Sequence, residues 1–230
     1  MMYIARLLYP VEVLGPGKRI GIWVCGCPHH CDGCANPELW EFRDDKKISI
    51  DHLLQLIEQI SESNQVDGFT ITGGEPFYQP KELTALLKAL KRWSSDILVF
   101  SGYYKEQIEE FSSLEDVAVL VDGPYIKERN HGLTLRGSDN QRIFILNDQY
   151  KETYQDYLSS EKSKIQNFLD GNSVISVGIH EPDYASKIKT YMERKGLIFL
   201  PNTFSAKSAL PQSARYGIIT PLEKPVVPLV

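Results

Sequence analysis

Apolar residues recur at three- and four-residue intervals in two stretches of the chain. In ISIDHLLQLIEQISES, Ile50, Leu53, Leu54, Ile57 and Ile60 share one helical face, and Ser49 stands where a helix cap belongs. In QPKELTALLKALKRW, Leu83, Leu86, Leu87 and Leu90 make a second such face, with Pro80 suited to the first turn. Around them lie short runs rich in aromatic and β-branched residues: YIARLLY, RIGIWV, GFTIT, DILVF, VAVLV and QRIFIL. These read as strands. YYKEQIEEF, after DILVF, reads as a short helix. Strands alternating with helices predict an α/β fold with a mostly parallel sheet and right-handed crossovers. Strands that are apolar throughout predict a sheet covered on its faces. An open sheet or incomplete (partial) βα barrel satisfies both. In such folds ligands gather at the C-terminal ends of the strands.

The pattern changes near residue 147. DQYKETYQDYLSSEKSKIQNFL is polar and reads as helix, SVISVGI as a strand, and DYASKIKTYMERKGL as a helix that Gly196 would end. From residue 201 the chain carries Pro201, Pro211, Pro221, Pro225 and Pro228 and shows no period. That is the texture of an extended or disordered tail. The expected organisation is a core over 1–147, a small α/β extension over 148–200 and a tail over 201–230.

Composition narrows the function classes. With 42% hydrophobic residues, 230 residues can bury a sizeable core. The net charge is -5 and no dense basic stretch occurs, so nucleic acid is not an expected partner. No apolar run is long enough to span a bilayer, and MMYIARLLYP lacks the features of a signal peptide. The expected compartment is the cytoplasm, where thiols stay reduced.

That compartment decides how the cysteines are read. All four, Cys25, Cys27, Cys31 and Cys34, fall within WVCGCPHHCDGCANPELW. Clustered thiols in a reducing compartment are more often metal ligands than a disulfide framework. Structural zinc takes four ligands, often from two separated pairs. No second pair exists here, so zinc would need Cys25, His29 or His30 as its fourth ligand within one tight loop. Cys27, Cys31 and Cys34, spaced C-x3-C-x2-C, better suit a cubane iron–sulfur cluster, which takes thiolates from short loops. Three thiolates leave one iron open, as a catalytic site requires. Strand alternation could point Cys25 the same way as Cys27. A fourth thiolate would close the open iron, however, so Cys25 reads as a small buried residue.

GPGKRIGIWVCGCPHHCDGCANPELW resembles the cluster loop of the radical S-adenosylmethionine (SAM) enzymes. It is most similar to the activating enzymes of anaerobic ribonucleotide reductase and pyruvate formate-lyase. The likeness includes Gly15-Pro16-Gly17, Gly26, Asn36-Pro37 and Trp40. TITGGEP then closes a predicted strand, and paired glycines permit close backbone approach to a ligand. The resemblance implies that this turn, Gly73, Gly74 and Glu75, holds the amino group of the SAM methionine. VFSGYY adds Ser101 as a further cofactor-binding candidate. VLVDGPYIKERNHGLTLRGSDNQRIFIL continues the likeness, which covers roughly residues 1–147. Asp122 there either binds a cation or supports the site, as in relatives, or is an ordinary turn residue before Gly123. Arg136, Ser138, Asn140, Gln141 and Arg142 belong to the resembling pattern without an assigned role.

The resemblance implies a mechanism. A [4Fe-4S] cluster on Cys27, Cys31 and Cys34 binds SAM at its fourth iron and is reduced by an electron donor such as flavodoxin or ferredoxin. SAM is cleaved to methionine and a 5′-deoxyadenosyl radical, which takes a hydrogen atom from a glycine of a partner glycyl radical enzyme. No catalytic side chain beyond the cluster and cofactor is assigned. Three departures bear on the substrate. Ala35 stands where relatives often carry Tyr or His. Leu14 stands where Asp or Asn usually precedes the Gly-Pro-Gly, a loop that in some relatives lies near the bound peptide. The chain also runs about eighty residues beyond the matching region. They leave open a radical SAM enzyme acting on a peptide or small molecule. A zinc-binding interaction module is the more distant alternative. His29 and His30 read as loop residues shaping access, and His180 in GIHEPD is left without a role.

Overall fold

The computed structural model describes residues 1–160, 165–170 and 173–194. Strand β1 (Met2–Val11) pairs antiparallel with β2 (Arg19–Val24), and the short β3 (Lys47–Ile48) adds to the other edge of β1. Helix α1 (Ile50–Ser63), β4 (Gly68–Gly73), α2 (Pro80–Leu90), β5 (Ile97–Phe100), the one-turn α3 (Lys105–Ile108), β6 (Val119–Asp122) and β7 (Arg142–Ile145) follow. Beyond them come α4 (Lys151–Ser159), a hairpin of β8 (Ile165–Asp170) and β9 (Ser173–Gly178), and α5 (Tyr184–Arg194).

The seven-stranded sheet has the order β3-β1-β2-β4-β5-β6-β7. Its four middle strands, β2, β4, β5 and β6, are parallel, and β1, β3 and β7 join antiparallel at the sides. The fold is therefore α/β with a parallel centre, as the alternation of strands and helices predicts. β1 departs from it because residues 12–18 are too short a link for a parallel crossover.

The two amphipathic helices form where the apolar period places them. Ser49 caps α1 by accepting from the backbone N–H of His52, and α2 begins at Pro80. Leu53, Ile57 and Ile60 of α1 and Leu83, Leu86, Leu87 and Leu90 of α2 bury one face of the sheet, against Ile20, Ile22, Ile71, Ile97 and Val99. Alternate strand residues point to the second face: Trp23, Leu98, Val119 and Val121. That face is covered by residues beyond 147, namely Tyr154 and Tyr157 of α4, Phe168 of β8 and Val177 of β9. Cover on both sides is why the strands are apolar throughout.

A buried polar anchor ties α4 to the sheet. Arg19 is fully buried and donates to both carboxylate oxygens of Asp96, at 2.7 and 3.1 Å, and to Thr70 Oγ1 and Phe69 O. Tyr154 donates its hydroxyl to Asp96 Oδ1 at 2.7 Å. Burial works against the Arg19 charge, but Tyr154 and Asp96 outweigh it and hold the guanidinium pKa above its ordinary value.

Residues 165–170 correct the sequence reading. They form a strand paired with β9, and the helix expected across 148–169 is confined to Lys151–Ser159 after a 3-10 turn. The segment has no helical apolar stripe of its own. Burial of Phe168 and pairing with β9 decide its conformation, as tertiary context often does for strands. Gly196 and the tail over 201–230 lie outside the described residues. Among the described residues, no helix is long and apolar enough to cross a membrane.

Candidate metal centre

The cysteine loop leaves the C-terminal end of β2. Cys25 directly follows the strand, its N–H donating to Tyr3 O at 2.9 Å. Its side chain is fully buried with Ala5, Leu8, Trp23, Leu39 and Phe168, and burial pushes the thiol up to about 11. Gly26 then turns the chain at φ +87, where a side chain would collide with the Phe42 ring. Gly26 N–H and Cys27 N–H donate to Leu39 O and Trp40 O at 2.9 and 2.8 Å and close the base of the loop. Cys27, Cys31 and Cys34 are free and partly exposed beyond that turn.

Several donors point at these sulfurs. Backbone N–H groups of His29 and His30 bond Cys27, and Asn36 N–H lies 3.4 Å from Cys34 Sγ. Burial outweighs them, lifting the Cys27 thiol to about 11 and raising Cys34 as well. Such thiols ionise on binding a metal. Among the described residues, the buried Trp40 indole N–H meets no acceptor at ordinary distance, although it is near enough to Cys34 to lower that thiol's pKa. A dry donor beside thiolates is satisfied by cluster-ligating sulfur, and hydrogen bonds to sulfur are a main control on cluster potential. The donor set thus fits an iron–sulfur cluster. The histidines that a zinc site would need are otherwise engaged: His29 faces Glu75, and His30 stacks on Trp40 with centroids 4.8 Å apart. Among the described residues, no three Cys, His, Asp or Glu side chains converge as ligands of a single ion.

The turn after β4 is laid directly on the root of this loop. Gly73 has φ +106. Gly74 N–H donates to Val24 O and Glu75 N–H to Gly26 O, both at 2.8 Å. A Cβ on Gly74 would sit 2.5 Å from Gly26 O, so only glycine fits. Glu75 is buried, and its carboxylate is occupied by protein donors. Oε1 accepts from Phe77 N–H and the Ser101 hydroxyl, both at 3.0 Å, and Oε2 accepts from Gly102 N–H at 2.7 Å and faces His29 Nε2 at 3.2 Å. Ser101 N–H in turn donates to Val121 O at 2.8 Å. The three cysteines, Gly73, Gly74, Glu75 and Ser101 are thus gathered where β2, β4 and β5 end.

The other candidates separate. Asp122 is fully buried and accepts from Lys105 N–H and the Arg142 guanidinium, which also pairs with Glu106. These bonds raise the Arg142 pKa, that to Asp122 first. Ser138 accepts from Ile126 N–H, Asn140 donates to Pro124 O, and Gln141 spans from Gly137 N–H to Gly123 O. These three shape the loop between β6 and β7. Among the described residues, Arg136 Nε is buried there without a hydrogen-bond partner. Leu14 is buried, and Gly15 N–H donates to Tyr157 OH at 3.2 Å. This Gly-Pro-Gly loop precedes β2, at the opposite end of the strand from Cys27. His180 Nε2 lies 2.9 Å from Ser176 Oγ, its carbonyl accepts from Asn130, and burial lowers its pKa. Tyr103, edge-on to His29, and Lys127, packed against Gly33, complete the rim. The sequence carried no signal for either, because their contacts bridge distant segments.

Known proteins resemble this chain in sequence over the same region. Residues 13–144 match the family model described as a 4Fe-4S single cluster domain. The anaerobic ribonucleoside-triphosphate reductase-activating protein of Enterobacteria phage T4 is 35% identical over 146 residues, 61% of this chain and 93% of the relative. The proteins of that name from Vibrio cholerae and Escherichia coli K12 are 32% and 29% identical, over 59% and 60% of this chain and 93% and 96% of their own lengths. These relatives are matched almost end to end, while about two fifths of this chain has no counterpart in them. By the cluster loop and by the matched span, the chain belongs to the 4Fe-4S single cluster domain family, together with the anaerobic ribonucleoside-triphosphate reductase-activating proteins.

Proposed function

We propose that the chain is a radical SAM oxidoreductase that activates a glycyl radical enzyme, as the names of its relatives describe for anaerobic ribonucleoside-triphosphate reductase. The observation that carries this is the joint between Gly74 and Val24 and between Glu75 and Gly26, which locks the glycine turn onto the cysteine loop. Cys27, Cys31 and Cys34 would hold a [4Fe-4S] cluster, and Gly73, Gly74 and Ser101 would border SAM. A [4Fe-4S] cluster held there would supply the electron for reductive cleavage of the SAM sulfonium, with a flavodoxin- or ferredoxin-type protein as its source. Glu75 acts here as a positioning residue, because its oxygens already serve four protein groups. Asp122, taken up by Lys105 and Arg142, is given no role at the site. Cys25 stays out of the ligand set, held in the apolar layer behind Gly26. Tyr103 and His29 limit entry of water from the rim. In this reading the sheet is an incomplete barrel whose strand ends face the cofactor. The core spans 1–147, the extension covers 148–200, and the protein works in the reducing cytoplasm.

A second reading, a radical SAM enzyme acting on a peptide or small molecule, is favoured by the cover that α4 and the hairpin place over the second sheet face.

The test is anaerobic. The full chain is reconstituted with iron and sulfide, given dithionite and SAM, and assayed for 5′-deoxyadenosine beside Cys27→Ala, Cys31→Ala and Cys34→Ala. Product that falls to background in each variant is the expected result. A wild-type protein that loads a cluster and yields no 5′-deoxyadenosine refutes the reading.

A further inference from the structure

Trp40 is tied to each of the three cysteine segments in a different way. Its carbonyl accepts from Cys27 N–H at 2.8 Å. Its ring stacks on His30, the neighbour of Cys31, with the two planes 19° apart. Its side chain returns to Cys34, and the path between them is short and braced. Asn36 N–H lies 3.4 Å from Cys34 Sγ, the 3-10 turn Pro37–Leu39 follows, and Trp40 N–H closes that turn on Pro37 O at 3.3 Å. The indole as a whole is half-buried, but its Nε1 is on the buried side. A buried indole N–H ordinarily has an acceptor. Here the group it faces is the Cys34 sulfur, whose ionised form it favours. His30 has φ +47, a conformation that residues other than glycine seldom take. Its imidazole lies nearly flat on the indole and limits how that ring can turn. The other two tryptophans are directed elsewhere: the Trp23 ring lies back over Gly21, and Trp93 packs on Phe69 at the start of β4.

We propose that Trp40 is a positioning residue that sets the reduction potential of the iron–sulfur cluster: its indole N–H donates to the Cys34 sulfur and makes the cluster easier to reduce. The physical reason is charge. Reduction places additional negative charge on the cluster and its sulfurs, and the positive end of an N–H dipole stabilises the reduced form more than the oxidised one. The effect is strong because the group is shielded from water, which would otherwise screen it. With Asn36 N–H on the same sulfur, Cys34 has one backbone and one side-chain donor. His30 acts at one remove, by holding the indole in the orientation that aims the N–H. The inference rests on the assignment of Cys27, Cys31 and Cys34 as cluster ligands in the proposed function, and not on SAM cleavage.

The experiment uses the full chain, reconstituted anaerobically with iron and sulfide and kept free of SAM. Trp40→Phe keeps an aromatic ring against His30 and removes only the N–H donor. In a potentiometric titration followed by electron paramagnetic resonance, its cluster should be about tenfold harder to reduce than the wild type's, a midpoint about 59 mV more negative for one electron. Trp93→Phe should leave the midpoint where it is. A second measurement needs no variant. Wild type grown with tryptophan labelled at the indole nitrogen should show, by pulsed resonance on the reduced cluster, a coupling to that nitrogen. An unchanged midpoint in Trp40→Phe overturns the proposal, and so does an equal fall in Trp93→Phe, which would mark a general loss of packing. A loaded wild-type cluster without the nitrogen coupling overturns it as well, even where Trp40→Phe fails to fold. A wild-type chain that loads no cluster refutes the proposed function and this inference together. A loaded cluster that shows the coupling and the shifted midpoint but yields no 5′-deoxyadenosine refutes the proposed function alone.

Discussion

The carboxylate of Glu75 faces the imidazole of His29 across 3.2 Å, joining the turn after β4 to the middle of the cysteine loop. The same carboxylate holds Ser101 and Gly102 at the end of β5. One buried side chain therefore fixes three segments that approach the cysteines from different strands. Glu75→Ala should remove about 3 kcal/mol of stability, since buried donors would be left unpaired. Glu75→Gln should cost less, because only one carboxylate oxygen becomes a donor facing other donors. Denaturant midpoints of the metal-free protein would check this order. Equal midpoints for wild type and Glu75→Ala would show that the carboxylate does not hold the segments together.

Gly74 makes a sharper demand. An added methyl meets the backbone oxygen of Gly26, which cannot rotate aside as a side chain could. Gly74→Ala should push the turn off the loop and weaken SAM binding by about tenfold while iron content is kept. Equilibrium dialysis of the reconstituted protein, with iron measured on the same samples, reads both quantities. Unchanged SAM affinity would remove this turn from the cofactor site.

Cys25 tests the three-thiolate assignment from the other side. Its thiol lies in the layer with Trp23 and Phe168, so Cys25→Ala should bind iron as wild type does and lose about 1 kcal/mol of stability from the lost packing. Cys25→Ser should cost more, because it buries a hydroxyl among apolar side chains. Loss of iron in Cys25→Ala would make it a ligand.

What was legible in the sequence follows from how local each cause is. Leu53, Ile57 and Ile60 recur with the helical period, so α1 could be drawn directly. The three cysteines and the Gly73-Gly74 turn stood out because their chemistry is carried by residue type and spacing. β8 could not be recognised as a strand, because it depends on Phe168 reaching Trp23, about 145 positions earlier. The role of Glu75 was equally hidden. The resemblance implied a cofactor contact for it, whereas its oxygens are taken up by Ser101, Gly102, Phe77 and His29. β3 has two residues and no pattern of its own. Arg19 opens RIGIWV, and nothing near it in sequence announces Asp96 as its counterion.

That buried pair gives the largest expected effect. Asp96→Ala leaves the Arg19 guanidinium in the core without its carboxylate, and breaking a buried pair from one side costs about 3–5 kcal/mol. Tyr154→Phe removes only the hydroxyl bond to Asp96 and should cost about 1 kcal/mol. The sign of the pH dependence follows from the raised Arg19 pKa. A cation whose folded pKa exceeds its unfolded value contributes fully below the unfolded value and loses that contribution only as pH rises through the folded one. The stability difference between wild type and Asp96→Ala should therefore stay flat from roughly pH 6 to 9, well below the ordinary arginine range. Denaturant melts across that window measure it. A difference that shrinks steadily with rising pH inside the window would mean that Arg19 is losing its proton there, and the anchor between β2 and α4 would not be an ion pair.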